Sequence, residues 1–283
     1  MRLLVTGGSG YVGSEVLAAA RERGWDATGT YRTRAAHGLV QLDVRDAVAV
    51  RAAVAAARPD VVVHTAYVQE GPEARETIVD GTANVARAAQ TARARLIHLS
   101  TDLVFCGRCR PAYAEADDPC PVNAYGRAKA DAELAVAALT VDSAVVRTSL
   151  VYGGRTPGHH ERLVFDALRR RRPIAFFSDE LRSPVAAGDL AAALLALCRR
   201  RTLDLPRGRI HLGGADTVSR YELAVLLAEA YGLDPARLRV ATSADSGVQR
   251  PLNCALDSGH ARRQLRLRLR GARRVLRPGS LVG

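Results

Sequence analysis

Along its first half the chain alternates short, continuous apolar runs with longer stretches whose apolar residues recur at helical spacing. Arg2–Thr6, Trp25–Tyr31, Leu39–Leu42, Asp60–Ala66, Arg95–Thr101 and Ser143–Ser149 read as strands. Tyr11–Arg23, Asp46–Ala57, Glu73–Arg93 and Asn123–Leu139 read as helices. Unbroken apolar strands need cover on both faces, and helices between them supply it. This alternation predicts an α/β fold: a doubly wound parallel sheet of the Rossmann kind. Beyond residue 150 the pattern loosens, with helices expected at Glu161–Arg170, Asp189–Arg199 and Arg220–Tyr231 and strands at Ile174–Phe177 and Arg209–Leu212. The expected division is a dinucleotide-binding domain over 1–150, a smaller C-terminal substrate-binding lobe over 151–257 interleaved with the last strands, and an Arg-rich tail over 258–283.

Composition narrows the field. With 283 residues, 48% of them hydrophobic and 25% charged, the chain has enough apolar material for a substantial core. No apolar run reaches membrane-spanning length, and Arg2–Thr6 leads straight into glycines without the pattern of a signal peptide. Five cysteines in such a chain are expected to be reduced thiols in a cytoplasm. Of the net charge of +12, eight units come from arginines after Asp257, which leaves +4 for the remainder. That distribution, without a basic helix or zinc-finger pattern, argues against nucleic acid as the partner. Forty of the 41 basic residues are arginine, so the single lysine, Lys129, calls for a reason specific to an ammonium group.

Candidate chemistry begins where the first strand ends, in Thr6-Gly7-Gly8-Ser9-Gly10-Tyr11-Val12-Gly13. Gly7 permits a tight turn, Gly10 lets a diphosphate approach the backbone, and Gly13 lets helix and strand pack closely. The free N–H groups of the following helix, with its dipole, suit the anion. At the end of the second strand, Arg32 and Arg34 stand where an NAD site would carry an acid, which favours NADPH over NADH; the alternative is that both are solvated loop arginines. Asp43, with Val44, could accept from an adenine amino group or cap the next helix. Tyr125 and Lys129, four apart on a helix, share a face; a nearby ammonium would ease proton exchange at the phenol, and Lys129 could also hold the ribose hydroxyls of the cofactor. Thr101 ends the fifth strand, where a hydroxyl can hold a substrate carbonyl or serve only the local turn. Cys106, Cys109 and Cys120 lack a fourth ligand at zinc spacing, and His159-His160 falls in a Pro/Gly-rich stretch expected at the surface, with contact to substrate as the alternative.

These stretches, with Ser100–Phe105, Pro121–Lys129, Val146–Gly153 and, more weakly, Ser183-Pro184, Gly188–Ala191 and Arg250-Pro251, resemble the extended short-chain dehydrogenases/reductases, and among them the dTDP-4-dehydrorhamnose reductase group, over about the first 255 residues. The resemblance implies a catalytic trio of Thr101, Tyr125 and Lys129, with Ala66 and Tyr67 lining the cleft. It places Val104, Leu150, Arg182 and Arg250 around a small-molecule ketone, possibly a sugar nucleotide, and implies a monomer or homodimer. Leu103, Leu150 and Ile78 stand where the family usually has Tyr, Trp and Asn, which leaves the redox residues in place and opens the substrate to other ketones. An epimerase on the same scaffold and a catalytically silent, NADP-binding regulatory subunit are the alternatives. Dehydratases resembling this family place a Glu where Leu103 stands.

Overall fold

The computed structural model describes residues 1–108, 111–139, 142–170, 172–200 and 204–281. Seven parallel strands form the main sheet: β1 (Arg2–Thr6), β2 (Asp26–Tyr31), β3 (Leu39–Gln41), β4 (Val61–His64), β5 (Arg95–Thr101), β6 (Ser143–Thr148) and β11 (Arg209–Leu212). Their order is β11-β6-β5-β4-β1-β2-β3, so the strand sequence reverses beside β1. That switch point, outside the carboxyl ends of β1 and β4, is where such sheets bind ligands. The doubly wound expectation holds. Four of the five residues of β1, and all of β4 and β5, are buried, as strands covered on both faces must be.

One face of the sheet is covered by α1 (Tyr11–Glu22) and α6 (Ala187–Arg199), whose Val16, Leu17, Leu190 and Leu194 pack on Leu3, Val5, Val63 and Ile97. The other carries α2 (Ala47–Ala57), α3 (Ala74–Thr91) and α4 (Ala124–Ala138), with Val50, Val54 and Val85 against Leu4, Val62 and Leu96. Asp46 caps α2, accepting from the N–H groups of Val48 and Ala49 at 2.8 and 3.0 Å.

The lobe contains β7 (Val151–Tyr152), α5 (His159–Leu168), β8 (Ala175–Phe177), β9 (Leu181–Arg182), β10 (Val185–Ala186), β12 (Val218–Ser219), α7 (Arg220–Ala230) and β13 (Arg239–Ala241). Three two-stranded pairings, β10-β7, β12-β9 and β13-β8, tie it together around Tyr152, Val164, Phe176, Leu223 and Leu227. Because α6 and β11 return to the main sheet, the chain passes through the lobe twice.

The Arg-rich segment, read from the sequence as a tail, has a packed face. It forms α8 (Gly259–Leu265) and α9 (Ala272–Val275). Ala261, Leu265 and Leu269 join the core beside α6, and Ala272 and Leu276 join that of the lobe. Arg270 pairs with Asp189 at 2.7 Å and Arg273 with Glu222 at 2.7 Å. The apolar residues were masked in the sequence by the density of arginine between them.

Candidate active site

Gly7, at φ +73°, makes the turn after β1 in a conformation that side chains rarely adopt. A Cβ there would meet the backbone of Ala66 at 2.8 Å, and a Cβ at Gly13 would meet the Gly7 carbonyl oxygen at 2.2 Å. The glycines thus bring the start of α1 hard against the ends of β1 and β4. Thr65 Oγ1 fixes this contact by donating to the Thr6 carbonyl at 2.7 Å. A cavity of about 360 Å³ opens here, lined by Gly7, Ser9, Gly10, Arg32, Arg34, Val44, Ala66 and Tyr67 among others.

Arg32 donates to Glu73 at 2.6 Å, while its Nη1 is buried with no partner. That orphaned donor beside a glycine-rich helix start fits the phosphate of a dinucleotide. Arg34 is exposed on the same rim. Of the two roles expected for Asp43, the cap belongs to Asp46, and Asp43 is held by Arg45, whose Nη2 donates at 2.6 Å. That guanidinium keeps the Asp43 carboxyl below its ordinary range.

A second cavity, of about 340 Å³, continues from Gly10, Tyr11, Val12 and Gly13 to Thr101, Tyr125, Lys129 and Leu150. The first turn of α4 sets Tyr125. Asn123 caps it, accepting from the Gly126 N–H at 2.7 Å, and a Cβ at Gly126 would lie 2.1 Å from the Leu103 carbonyl oxygen. Only glycine lets α4 start against the 3-10 turn Asp102–Val104 that follows Thr101. The Thr101 hydroxyl caps that turn, accepting from the Leu103 N–H at 3.2 Å, and donates to Asp102 at 3.3 Å. It therefore does turn work while facing the cavity.

Burial pushes the Tyr125 phenol well above its ordinary pKa, reinforced by Tyr67 and Asp102 and opposed by a hydrogen bond with Thr101. The Lys129 ammonium, expected to lower that value, is turned elsewhere. It donates to the Leu99 carbonyl at 2.9 Å and lies 5.0 Å from the centre of the Tyr67 ring, which itself sits 5.8 Å from the Tyr125 ring. Tyr125 is thus held protonated at neutral pH.

Burial also lowers Lys129 to about 8, against a slight raising effect of Glu133. An unfolded lysine keeps a pKa of about 10.4. Between these values the unfolded chain binds a proton that the folded one does not, so Lys129 makes stability increase with pH across that window and contributes no slope below it. The stability of the wild type relative to Lys129→Met, by urea unfolding from pH 7 to 10.5, should show this rise, because the buried thiols and phenols that act in the opposite sense are common to both.

A third cavity of about 730 Å³ adjoins Tyr125 and is lined by Arg182, Arg220 and Arg250 with Glu180. Glu180, 1% exposed, is 3.4, 3.5 and 3.2 Å from these three guanidiniums. Arg182 is a structural member: it donates to the carbonyls of Leu181, Leu252 and Pro251 and is 2% exposed. Arg220 and Arg250 keep more of their surface, and Arg250 Nε is buried without a partner. Val104, expected near the substrate, is fully buried against Phe105 and Tyr113, because the 3-10 turn points Leu103 into the cleft in its place.

Sequence reading missed Arg220 and Glu180. His159 is exposed, as expected, and His160 is half-buried; both start α5 and line the Tyr125 cavity. Burial, then Arg220 and His159, lower His160 to about 3, so it is neutral. The preceding loop is latched to α1: Tyr11 accepts from the Gly154 N–H at 2.9 Å, Glu15 from the Arg155 N–H at 2.6 Å, and buried Glu161 from the N–H groups of Gly153 and Gly158 at 2.6 and 3.0 Å. Nothing local in the sequence signals contacts across about 140 residues. Among the described residues no cluster of three or more His, Cys, Asp or Glu could hold a metal, and none of the helices is long and apolar enough to cross a membrane; Cys109 lies outside the described residues.

The comparisons agree with this geometry. The family model for the RmlD substrate binding domain matches residues 1–277. The chain is 32% identical over 268 residues to the methionine adenosyltransferase 2 subunit beta of Pongo abelii, covering 90% of this chain and 80% of that protein. It is 34% identical over 252 residues to a probable dTDP-4,6-dihydroxy-2-methyloxan-3-one 4-ketoreductase of Streptomyces antibioticus, covering 86% and 82%. The crystal structure of a hypothetical dTDP-4-dehydrorhamnose reductase from Sulfolobus tokodaii superposes with a TM-score of 0.82 at 29% identity, over 95% of this chain and 97% of that one. With that match over nearly its whole length, the chain belongs to the RmlD substrate binding domain family, on the extended short-chain dehydrogenase/reductase scaffold of NAD(P)-dependent oxidoreductases.

Proposed function

We propose that the protein is a cytoplasmic, NADPH-dependent reductase of a small-molecule ketone, with a 4-keto-deoxysugar nucleotide as the leading substrate class. The observation that carries this reading is the convergence of Thr101, Tyr125 and Lys129 on the cavity that continues from the glycine-rich turn. Gly10, Tyr11, Val12 and Gly13 would hold the diphosphate of the dinucleotide, Val44, Ala66 and Tyr67 its adenosine side, and Arg32 with Arg34 a 2′-phosphate. Bound NADPH supplies a hydride to the ketone carbon. Thr101 orients the ketone oxygen, and Tyr125, held protonated by burial, donates its proton to the oxygen as negative charge develops there. Lys129 fixes the Leu99 carbonyl and the Tyr67 ring that flank the phenol.

Arg220 and Arg250, two guanidiniums that share one carboxylate with Arg182, leave an excess of positive charge beside Tyr125. A sugar nucleotide's diphosphate complements that charge. The Streptomyces relative, named as a probable ketoreductase, supports the same class. NADPH oxidation with a dTDP-4-keto-6-deoxy sugar tests the reading: turnover supports it, and tight NADPH binding with no turnover on this or other ketones overturns it.

The methionine adenosyltransferase 2 subunit beta relatives favour a second reading, a dinucleotide-binding subunit of another enzyme. Retention of Tyr125 and the lone Lys129 in one cavity weighs for the reductase. Cofactor preference is separately testable. Arg32→Ala should weaken NADPH binding about tenfold, the loss of one charge-assisted hydrogen bond, and leave NADH affinity unchanged when both are titrated by fluorescence.

A further inference from the structure

The mechanism leaves a pair of cysteines unused in the segments that follow Thr101 and precede Tyr125. Cys106 follows the 3-10 turn after Thr101, and Cys120 precedes the Asn123 cap of Tyr125's helix. The two segments lie side by side: Cys120 N–H donates to the Val104 carbonyl at 2.8 Å, and Cys106 N–H donates to Cys120 Sγ at 3.1 Å. Cys120 is exposed and Cys106 partly so, whereas Cys198 and Cys254 are buried, their thiols pushed up to about 12 by burial.

Cys106 Sγ lies 3.8 Å from the Tyr113 hydroxyl, which in turn accepts from the Arg108 N–H at 3.1 Å. The segment is held from the other side as well. Asn253 N–H donates to the Gly107 carbonyl at 3.1 Å, and a Cβ at Gly107, φ +73°, would meet the Leu252 nitrogen at 2.5 Å. Burial opposes the Cys106 thiolate, but these hydrogen bonds outweigh it and hold the thiol below its ordinary pKa.

We propose that Cys106 and Cys120 are a thiol–disulfide exchange site that small disulfides of the glutathione class convert to an intramolecular bridge. The Cys106 thiolate attacks one sulfur of the small disulfide, forming a mixed disulfide and releasing one small thiolate. The deprotonated Cys120 then attacks the Cys106 sulfur, forming the protein S–S bond and releasing the second small thiol. Two protein thiols are oxidised and one disulfide is reduced to two thiols, so atoms and electrons balance. The 3.1 Å contact from Cys106 N to Cys120 Sγ sets the two residues side by side, and a disulfide bridges Cα atoms about 4.4–6.8 Å apart. The bridge joins the Thr101 turn to the root of the Tyr125 helix, and it is independent of which ketone, if any, is reduced there.

The test is oxidation of the reduced, full-length protein with oxidised glutathione, followed by alkylation and peptide mapping. Cleavage after Arg108 and Glu115 places Cys106, Cys109 and Cys120 on three different peptides. The expected result is a Cys106–Cys120 linked peptide that dithiothreitol reverses, with a higher Tm for the oxidised form. In Cys120→Ser the reaction should stop at a glutathione adduct on Cys106. Cys106 and Cys120 both remaining open to alkylation, or a bridge from Cys106 to Cys109, would overturn the assignment.

Discussion

Tyr125→Phe should lower kcat by about 10²–10⁴-fold, the range that a positioned general acid contributes, and leave NADPH affinity within about twofold. The phenyl ring keeps the packing against Tyr67 and removes only the proton that burial holds on the oxygen. Because the phenol is kept protonated well past neutrality, the wild-type rate should also show no loss of the acid between pH 6 and 8. Steady-state kinetics alongside fluorescence titration of the cofactor separate chemistry from binding. A Phe variant that turned over at the wild-type rate would remove Tyr125 from the mechanism.

Glu133→Ala should destabilise the fold by about 3–5 kcal/mol, the cost of leaving a buried charge without its partner. Glu133 and Arg147 are 1% and 0% exposed and meet at 2.7 Å, with the Ser100 hydroxyl donating to the same carboxylate at 2.6 Å. Arg209 Nε stands 3.5 Å from it as well. Removing the carboxylate strands two guanidiniums under β5 and α4, the elements that carry Thr101 and Tyr125. The melting temperature should fall on the order of 10 °C. Glu133→Leu combined with Arg147→Met should cost less than Glu133→Ala, since one stranded guanidinium, that of Arg209, is then left in place of two. Equal losses in the two variants would show that packing, not charge pairing, governs the site.

The parts of the molecule legible in the sequence are those whose cause is local. The order of β1 to β6 follows from unbroken apolar runs, and the glycine-rich turn from three residues that no side chain could replace. Thr101, Tyr125 and Lys129 were findable because strand end and helix face are local properties and because Lys129 has no companion elsewhere. What the sequence concealed depends on distant neighbours. Asp43 reads as a cap until Asp46 is seen to hold the helix, and Val104 reads as a substrate contact until the 3-10 turn buries it. Arg220 and Glu180 meet only because β12 pairs with β9. His160 is drawn partly inward behind a loop latched onto α1, while His159 stays exposed.

That latch has a thermodynamic consequence. Tyr11 belongs to the turn that would cradle the dinucleotide, yet its ring is closely flanked by the backbone of Gly154 and Gly158, 2.8 and 2.6 Å from where their Cβ atoms would stand. The first helical turn of the nucleotide fold and the threshold of the lobe therefore share direct contacts. Whatever factor a ligand on one side imposes on affinity at the other is returned unchanged, because linkage is reciprocal. Tyr11 is the member common to both halves of the cleft.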